Sequence, residues 1–223
     1  MKTIPMLFSG PMVRAIQAGA KNQTRRIVKP QPIDNELVDG NFFAGDYTAH
    51  VKKDCFHDWQ HQFAYEYAPW QPGDVLWVRE AHGFIQPKRN IDGGRADTYG
   101  VVRYRADGKL GEYVQPLDFN PAYNKWRPGI HMPYAAARLF LKVESVRVER
   151  LQDISEDDAR AEGYDRKRFL AQMEEAAGYG LEGYFPDRPI IWFAELWESL
   201  HGAGSWNQNP WVWVIEFEKT NKL

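Results

Sequence analysis

The residues best equipped for chemistry stand close together near the amino terminus, in Gly19-Ala20-Lys21-Asn22-Gln23-Thr24-Arg25-Arg26. Lys21 and Thr24 are three apart across what reads as a helix-to-strand junction, where a curved backbone can turn both side chains into one cavity. In a straight strand they would face opposite ways, so convergence needs a turn or a bulge. A lysine acts as a base only when its pKa is brought towards neutrality. Desolvation and the neighbouring cations Arg25 and Arg26 both push in that direction. A threonine hydroxyl needs such a base to become a nucleophile. On spacing alone, the same eight residues read more simply as an ordinary basic turn with Thr24 opening a strand.

The elements that must hold these groups are legible in outline. Ile4–Ser9 reads as a strand, and Gly10-Pro11 opens a helix that Gly19 stops. A strand over Arg25–Val28 ends at Pro30, and 31–70 is polar and aromatic without a period. The strongest turn-to-strand signal is Gln71-Pro72-Gly73-Asp74 followed by Val75–Glu80. Val75, Trp77 and Arg79 share one face of that strand, and Leu76, Val78 and Glu80 the other. Further strands are expected at Val101–Arg105, Ala137–Arg150 and Trp211–Phe217, with 109–133 as loop. Ser155-Glu156-Asp157-Asp158 is a variant capping box for a short helix ending at Gly163. Arg166–Ala177 and the segment from Pro189 to His201 carry helical apolar spacing. Strands at both ends with helices between them predict a single α+β domain, 1–223, around a small and mostly antiparallel barrel.

Composition narrows the class. At 223 residues and 43% hydrophobic, the chain can bury a core without a metal or disulfide staple. Its one cysteine, Cys55, excludes a disulfide framework and fits a reducing compartment. No apolar run approaches the ~20 residues that span a bilayer, and no secretory signal is evident, so the expected location is the cytoplasm. Residues 1–30 hold six basic residues and no acid, leaving 22 basic against 30 acidic residues in the rest. A basic segment on an acidic body predicts a local site for an anionic or electron-rich ligand, not a surface that coats nucleic acid. Cys55, His57 and His61 have zinc-ligand types at close spacing but no protease-like frame. No metal and no cofactor is expected.

The Gly19–Arg26 string resembles the amino-terminal Gly-x-Lys-x-x-Thr motif of ASCH-domain proteins. Pro72-Gly73-Asp74-Val75-Leu76 is similar to that family's Pro/Lys-Gly-Asp-x-Leu strand start. Leu151–Gly163 resembles its helix ending in Glu-Gly, and Trp211–Phe217 its closing strand. The segments about 31–70 and 109–133 would then be insertions. Their Trp-rich style looks like that of the larger members encoded in phages and prophages.

The resemblance implies a PUA-like β-barrel with flanking helices, and an activity. Some small bacterial members are amidohydrolases that remove acyl groups from the exocyclic amine of cytidine, whereas others bind or cleave RNA. Carried over motif by motif, the catalytic set is Lys21 as base, Thr24 as nucleophile and Glu162 as orienter. Glu162 sits beside Gly163 at a helix end, where a carboxylate gains nothing from the macrodipole, so it calls for a partner such as Lys21. A flat pyrimidine asks for stacking and edge hydrogen bonds. The expected contacts are Arg25, Arg26, Trp77, Arg79 and Glu80, then Trp206 and Asn209. The leading expectation is an acylcytidine amidohydrolase acting on a small nucleoside or base. The rivals are an RNA- or modified-base-binding module without chemistry, and a ribonuclease.

Overall fold

The computed structural model describes residues 1–29, 31, 37–38, 41–44, 47–50, 59–85, 100–114, 125–177 and 187–222. They divide into two compact units. One comprises Met1–Ala18, Asp74–Lys142 and Lys219–Leu223, the other Gly19–Gly73 and Val143–Glu218.

In the first unit, Thr3–Leu7 (β1) leads into the helix Gly10–Gln17 (α1). Proline in the first turn pre-sets the dihedral angle that α1 needs, and Met12, Val13 and Ile16 form its buried face. The helix stops where Gly19 takes φ +75°, a left-handed value open to glycine at little cost. The Pro72-Gly73 turn delivers Val75–Arg79 (β6), which lies parallel to β1 from Thr3↔Val75 to Leu7↔Arg79. Residues Phe140–Lys142 pair with β6 antiparallel, Phe140 opposite Trp77. A second, antiparallel sheet is built from His82–Ile85 (β7), Gly100–Tyr104 (β8), Leu110–Val114 (β9) and Trp126–Arg127 (β10), in the order β10-β7-β8-β9. Phe84, Val102, Tyr104, Met132 and Ala136 form one core cluster of this unit, and Val75, Trp77, Ala137 and Phe140 another.

The second unit is organised by Gln23–Ile27 (β2), the long strand Phe140–Arg150 (β11, from Val143 onward) and Trp211–Thr220 (β12, as far as Glu218). β12 pairs with β2 antiparallel without a break, from Val212↔Ile27 to Glu216↔Gln23. Leu37–Val38 (β3), Asn41–Ala44 (β4) and Tyr47–His50 (β5) make a three-stranded meander, followed by the helix Trp59–Tyr67 (α2). The remaining helices are Glu156–Ala161 (α3), Arg166–Ala177 (α4) and Pro189–His201 (α5). Ser155 caps α3 by accepting from the Asp158 amide, as the sequence predicts. Two clusters fill the interior: Leu151, Ile154, Ala159, Phe193, Trp197, Val212 and Val214, and Val28, Phe63, Val148, Trp211 and Trp213 with small alanines. Phe63 stacks on Trp213 at 5.3 Å.

The expected PUA-like barrel is corrected by the sheet topology. Among the described residues the five-stranded ladder runs β1-β6-β11-β12-β2, and none of the three sheets they form closes on itself. Closure requires the first and last strands to pair at a fixed stagger. Pro5 lies inside β1 and has no N–H to donate, which suits an edge strand, and a closed barrel has no edges. The pair β1·β6 is also parallel, so the sheet is mixed. The two segments expected as irregular insertions contain β3, β4, β5 and α2 in 31–70, and β9, β10 and a 3-10 turn at Gly129–His131 in 109–133.

Candidate active site

Lys21 stands just before β2, held by an isolated antiparallel bridge to Glu162 and by the Asn22 amide donating to the Ala161 carbonyl at 3.0 Å. Glu162 is the C-cap of α3, and Gly163 then turns the chain away at φ +100°. A carboxylate at a helix C-terminus meets the negative end of the macrodipole and needs a counter-charge. Lys21 supplies it: Nζ donates to Glu162 Oε2 at 2.5 Å, to the Glu162 carbonyl at 3.0 Å and to the Gln23 carbonyl at 2.7 Å. All three ammonium protons are thereby spent. Both side chains are out of solvent, 0% and 3% exposed. Burial pushes the Lys21 amine below the ordinary lysine range. The Glu162 charge opposes that shift, while the Arg26 and Arg25 charges add to it.

The pair belongs to a larger network. Every N–H of the buried Arg25 is used. Nε and Nη2 reach Glu149 Oε1 at 3.1 and 2.6 Å, and Nη2 also reaches Asp158 Oδ2 at 3.2 Å. Nη1 donates to Gln23 Oε1 at 2.7 Å and to Glu162 Oε1 at 3.2 Å. Arg147 binds Glu216, Asp158 and Glu149, and Gln23 donates to Asp158 at 2.9 Å and to Glu216 at 3.3 Å. Asp158 is held below its ordinary range. Its burial acts the other way, but the Gln23 hydrogen bond and the charges of Arg147 and Arg25 outweigh it.

Strand alternation puts Gln23 and Arg25 on the face of β2 that meets this network, and Thr24 and Arg26 on the other. The unbroken register with β12 leaves no bulge there. Thr24 is 1% exposed, and its Oγ1 accepts from Arg26 Nη1 at 3.1 Å, the same nitrogen that donates to the Arg25 carbonyl at 3.0 Å. Thr24 is not among the three acceptors of Lys21. Arg26 is the electrostatic link between the two faces. Burial lowers its pKa, the Glu162 charge raises it, and its own charge lowers that of Lys21.

The remaining expected contacts fall in two places. Trp206 and Asn209 lie in the same unit as Lys21. Trp206 packs edge-on against Phe193, and its carbonyl accepts from Gln152. Asn209 adopts φ 42°, which its short side chain tolerates, and takes the Gln152 amide on Oδ1 at 2.8 Å. Trp77, Arg79 and Glu80 belong to the other unit. Arg79 lies over the Trp77 ring at 4.6 Å and donates to the Ile130 carbonyl. Glu80 is 1% exposed, and Arg138 grips both of its oxygens at 2.7 and 2.9 Å. A third contact, Arg138 Nη1 to Asp107 at 2.9 Å, completes that cluster.

Sequence reasoning missed Gln23, Glu149, Asp158, Arg147, Glu216 and Arg138. A signal existed for part of this set. Ser145, Arg147 and Glu149 recur at period two in a strand, a polar stripe that must meet other polar groups if buried. Cys55 and His57 lie outside the described residues, as does the side chain of His61. Among the described residues no group of three His, Cys, Asp or Glu side chains is arranged to hold a metal ion. No described helix is long and apolar enough to cross a membrane.

No protein-family model matches the chain, and no curated protein matches it. Among solved structures it is similar to the high-resolution crystal structure of an ASCH domain from Lactobacillus crispatus JV V101. The two are 12% identical, the match covers 98% of this chain and 79% of that one, and the TM-score is 0.35. The likeness is distant and assigns neither site nor activity.

Proposed function

We propose that the chain is an amidohydrolase that removes an acyl group from the exocyclic amine of a cytosine-type nucleoside or base. The observation that carries this reading is the buried Lys21–Glu162 pair, whose amine is softened by burial and whose nitrogen and oxygen are 2.5 Å apart. Moving one proton from Nζ to Oε2 leaves the pair neutral overall and gives the amine a free lone pair. A dry site favours such neutral partners.

The proposed chemistry balances with Thr24, Lys21, Glu162 and Arg26. Thr24 Oγ1 attacks the acyl carbonyl carbon and its proton passes to the Lys21 amine. This route requires Lys21 Nζ to leave the carbonyl of Gln23, the residue preceding Thr24, and turn towards the face of β2 that carries Oγ1. The Arg26 guanidinium, at 3.1 Å from Oγ1, stabilises the negative charge that develops on the tetrahedral adduct. Collapse breaks the carbon–nitrogen bond, and Lys21 returns the proton to the leaving amine. Water then cleaves the acyl ester on Thr24 by the same proton route, releasing a carboxylic acid.

One observation favours a second reading, a base-binding module without chemistry. Every donor of Lys21 and Arg25 already has an acceptor, as expected of charges that only position a fold. Chromatography of acylated nucleosides incubated with wild type and with Thr24→Val separates the two. Release of the free nucleoside by wild type, lost in Thr24→Val, supports the hydrolase. Binding of the nucleoside with no product supports the module.

A further inference from the structure

Arg103 in β8, Gly83 in β7 and Trp126 in β10 are consecutive cross-strand partners, Arg103 opposite Gly83 and Gly83 opposite Trp126. Neighbouring strands lie about 4.8 Å apart, so Arg103 and Trp126 stand roughly 10 Å apart at the backbone. The residue between them has no side chain. A Cβ added to Gly83 would lie 3.0 Å from the Lys125 carbonyl and 3.6 Å from the Trp126 ring. Glycine therefore leaves a slot one side chain deep, and Arg103 leans across it to place its guanidinium 5.1 Å from the indole centroid. The slot is an open cleft of about 60 Å³, lined among the described residues by Gly83, Phe84, Ile85, Arg103, Lys125 and Trp126.

Its chemistry is one-sided. Among the described residues, two cations and an indole line it together with Phe84 and Ile85, and no carboxylate does. Among the described residues, neither Arg103 nor Lys125 has an ion-pair partner. Trp126 is 42% exposed, so part of its ring is accessible to a ligand. Such a site is the reverse of the Lys21 network, where each cation is matched.

We propose that the slot binds a nucleobase carrying a 5′ phosphate, with the base stacked on Trp126 and the phosphate held by Arg103 and Lys125. An exposed cation–π contact is weaker than stacking of a base on an aromatic face, so the base displaces the guanidinium from the indole. The freed guanidinium turns to the phosphate, for which its planar fork is suited. A bare anion would satisfy the cations but leave the indole uncovered, and a neutral base would do the opposite. The same nucleotide chemistry is offered by a free mononucleotide and by a single-stranded RNA, and the two are separable by experiment. This site is independent of the hydrolase reading, since acylcytidine turnover reports on Lys21 and nucleotide binding reports on Trp126.

The test is calorimetric titration of the full chain with uridine, inorganic phosphate, uridine 5′-monophosphate and a short single-stranded oligouridylate. The nucleotide should bind tighter than uridine or phosphate. Trp126→Ala should weaken it at least about fivefold, and Arg103→Ala and Lys125→Ala should each lower the salt dependence of oligouridylate binding by nearly one charge. Equal affinity for mononucleotide and oligomer, per site, identifies a free nucleotide as ligand. An oligomer at least tenfold tighter identifies the polymer. Binding by neither, or binding that Trp126→Ala leaves unchanged, overturns the proposal. Arg103→Ala, at an exposed position, repeats the test should Trp126→Ala fold poorly.

Discussion

Two buried carboxylates, one in each unit, meet cations in ways that set them apart. Glu80 is clasped by Arg138, whose guanidinium also lies 3.8 Å from the Tyr104 ring centroid. Glu162 is met by Lys21 and, at 3.2 Å, by Arg25. Burial raises the Glu80 carboxyl against the pull of Arg138. The arginine cannot surrender a proton in any accessible pH range, so that pair stays ionic and its task is to fix geometry. The lysine can, because burial has already brought its amine down. The difference teaches that burial alone does not mark a reactive pair. What matters is whether the cation is able to become neutral.

The largest effect should come from the softer pair. Glu162→Gln is expected to lower kcat/KM for an acylated cytidine about 10²-fold or more, the range for losing a group that manages a proton. Undiminished turnover would erase the distinction drawn between the clusters. Next comes stability, measured by urea unfolding. Arg138→Met strands Glu80 without its counter-charge and should cost about 3–5 kcal/mol. Lys21→Met should cost less, about 1–3 kcal/mol, because Arg25 still faces Glu162. A reversed order would show that Lys21 is the main structural clamp.

The pH dependence follows with a smaller effect. Asp107 and Asp158 are both held below their ordinary range: each resists its own burial through hydrogen bonds to Arg138 in one unit and to Gln23 and Arg147 in the other. A depressed folded pKa gives stability that is complete above the unfolded value, near 3.8, and lost as pH falls through the lowered one. The Tm should therefore drop below about pH 4, and more shallowly in Asp158→Asn. Lys21 acts with the same sign in a higher window: its folded pKa is lowered, so stability should climb as pH rises from that value towards 10.5. Trp126→Ala should change stability least, within about 0.5 kcal/mol, because the ring is partly exposed.

Local pattern carried far in this chain, and long-range pairing did not. The Pro72-Gly73 turn, the helix start at Gly10-Pro11, the Ser155 cap and the alternation in β11 can all be read from a few adjacent residues, and each corresponds to an element that forms. The meander β3-β4-β5 escaped notice because strands of two to four residues among polar and aromatic positions show no period. The barrel was expected because strand order is absent from local spacing. Pro5, inside the first strand, was the one residue that spoke for an edge. In the site, Lys21 and Thr24 stand out by type, but Glu162 lies 141 residues away and was reached through resemblance to a family motif. Nothing near Glu80 indicates Arg138, 58 residues on, whereas Ser145, Arg147 and Glu149 form a polar stripe that was legible but went unread.

The most direct measurement follows free cytidine over time as wild type and Lys21→Arg are each incubated with an N4-acylated cytidine. Arginine keeps the positive charge opposite Glu162 but cannot act as a base near neutral pH. Wild type should release cytidine at a rate that rises with pH through the lowered Lys21 pKa, and Lys21→Arg should release none above the blank while unfolding at a comparable urea concentration. Equal rates for the two proteins, or no release by either, would contradict the account.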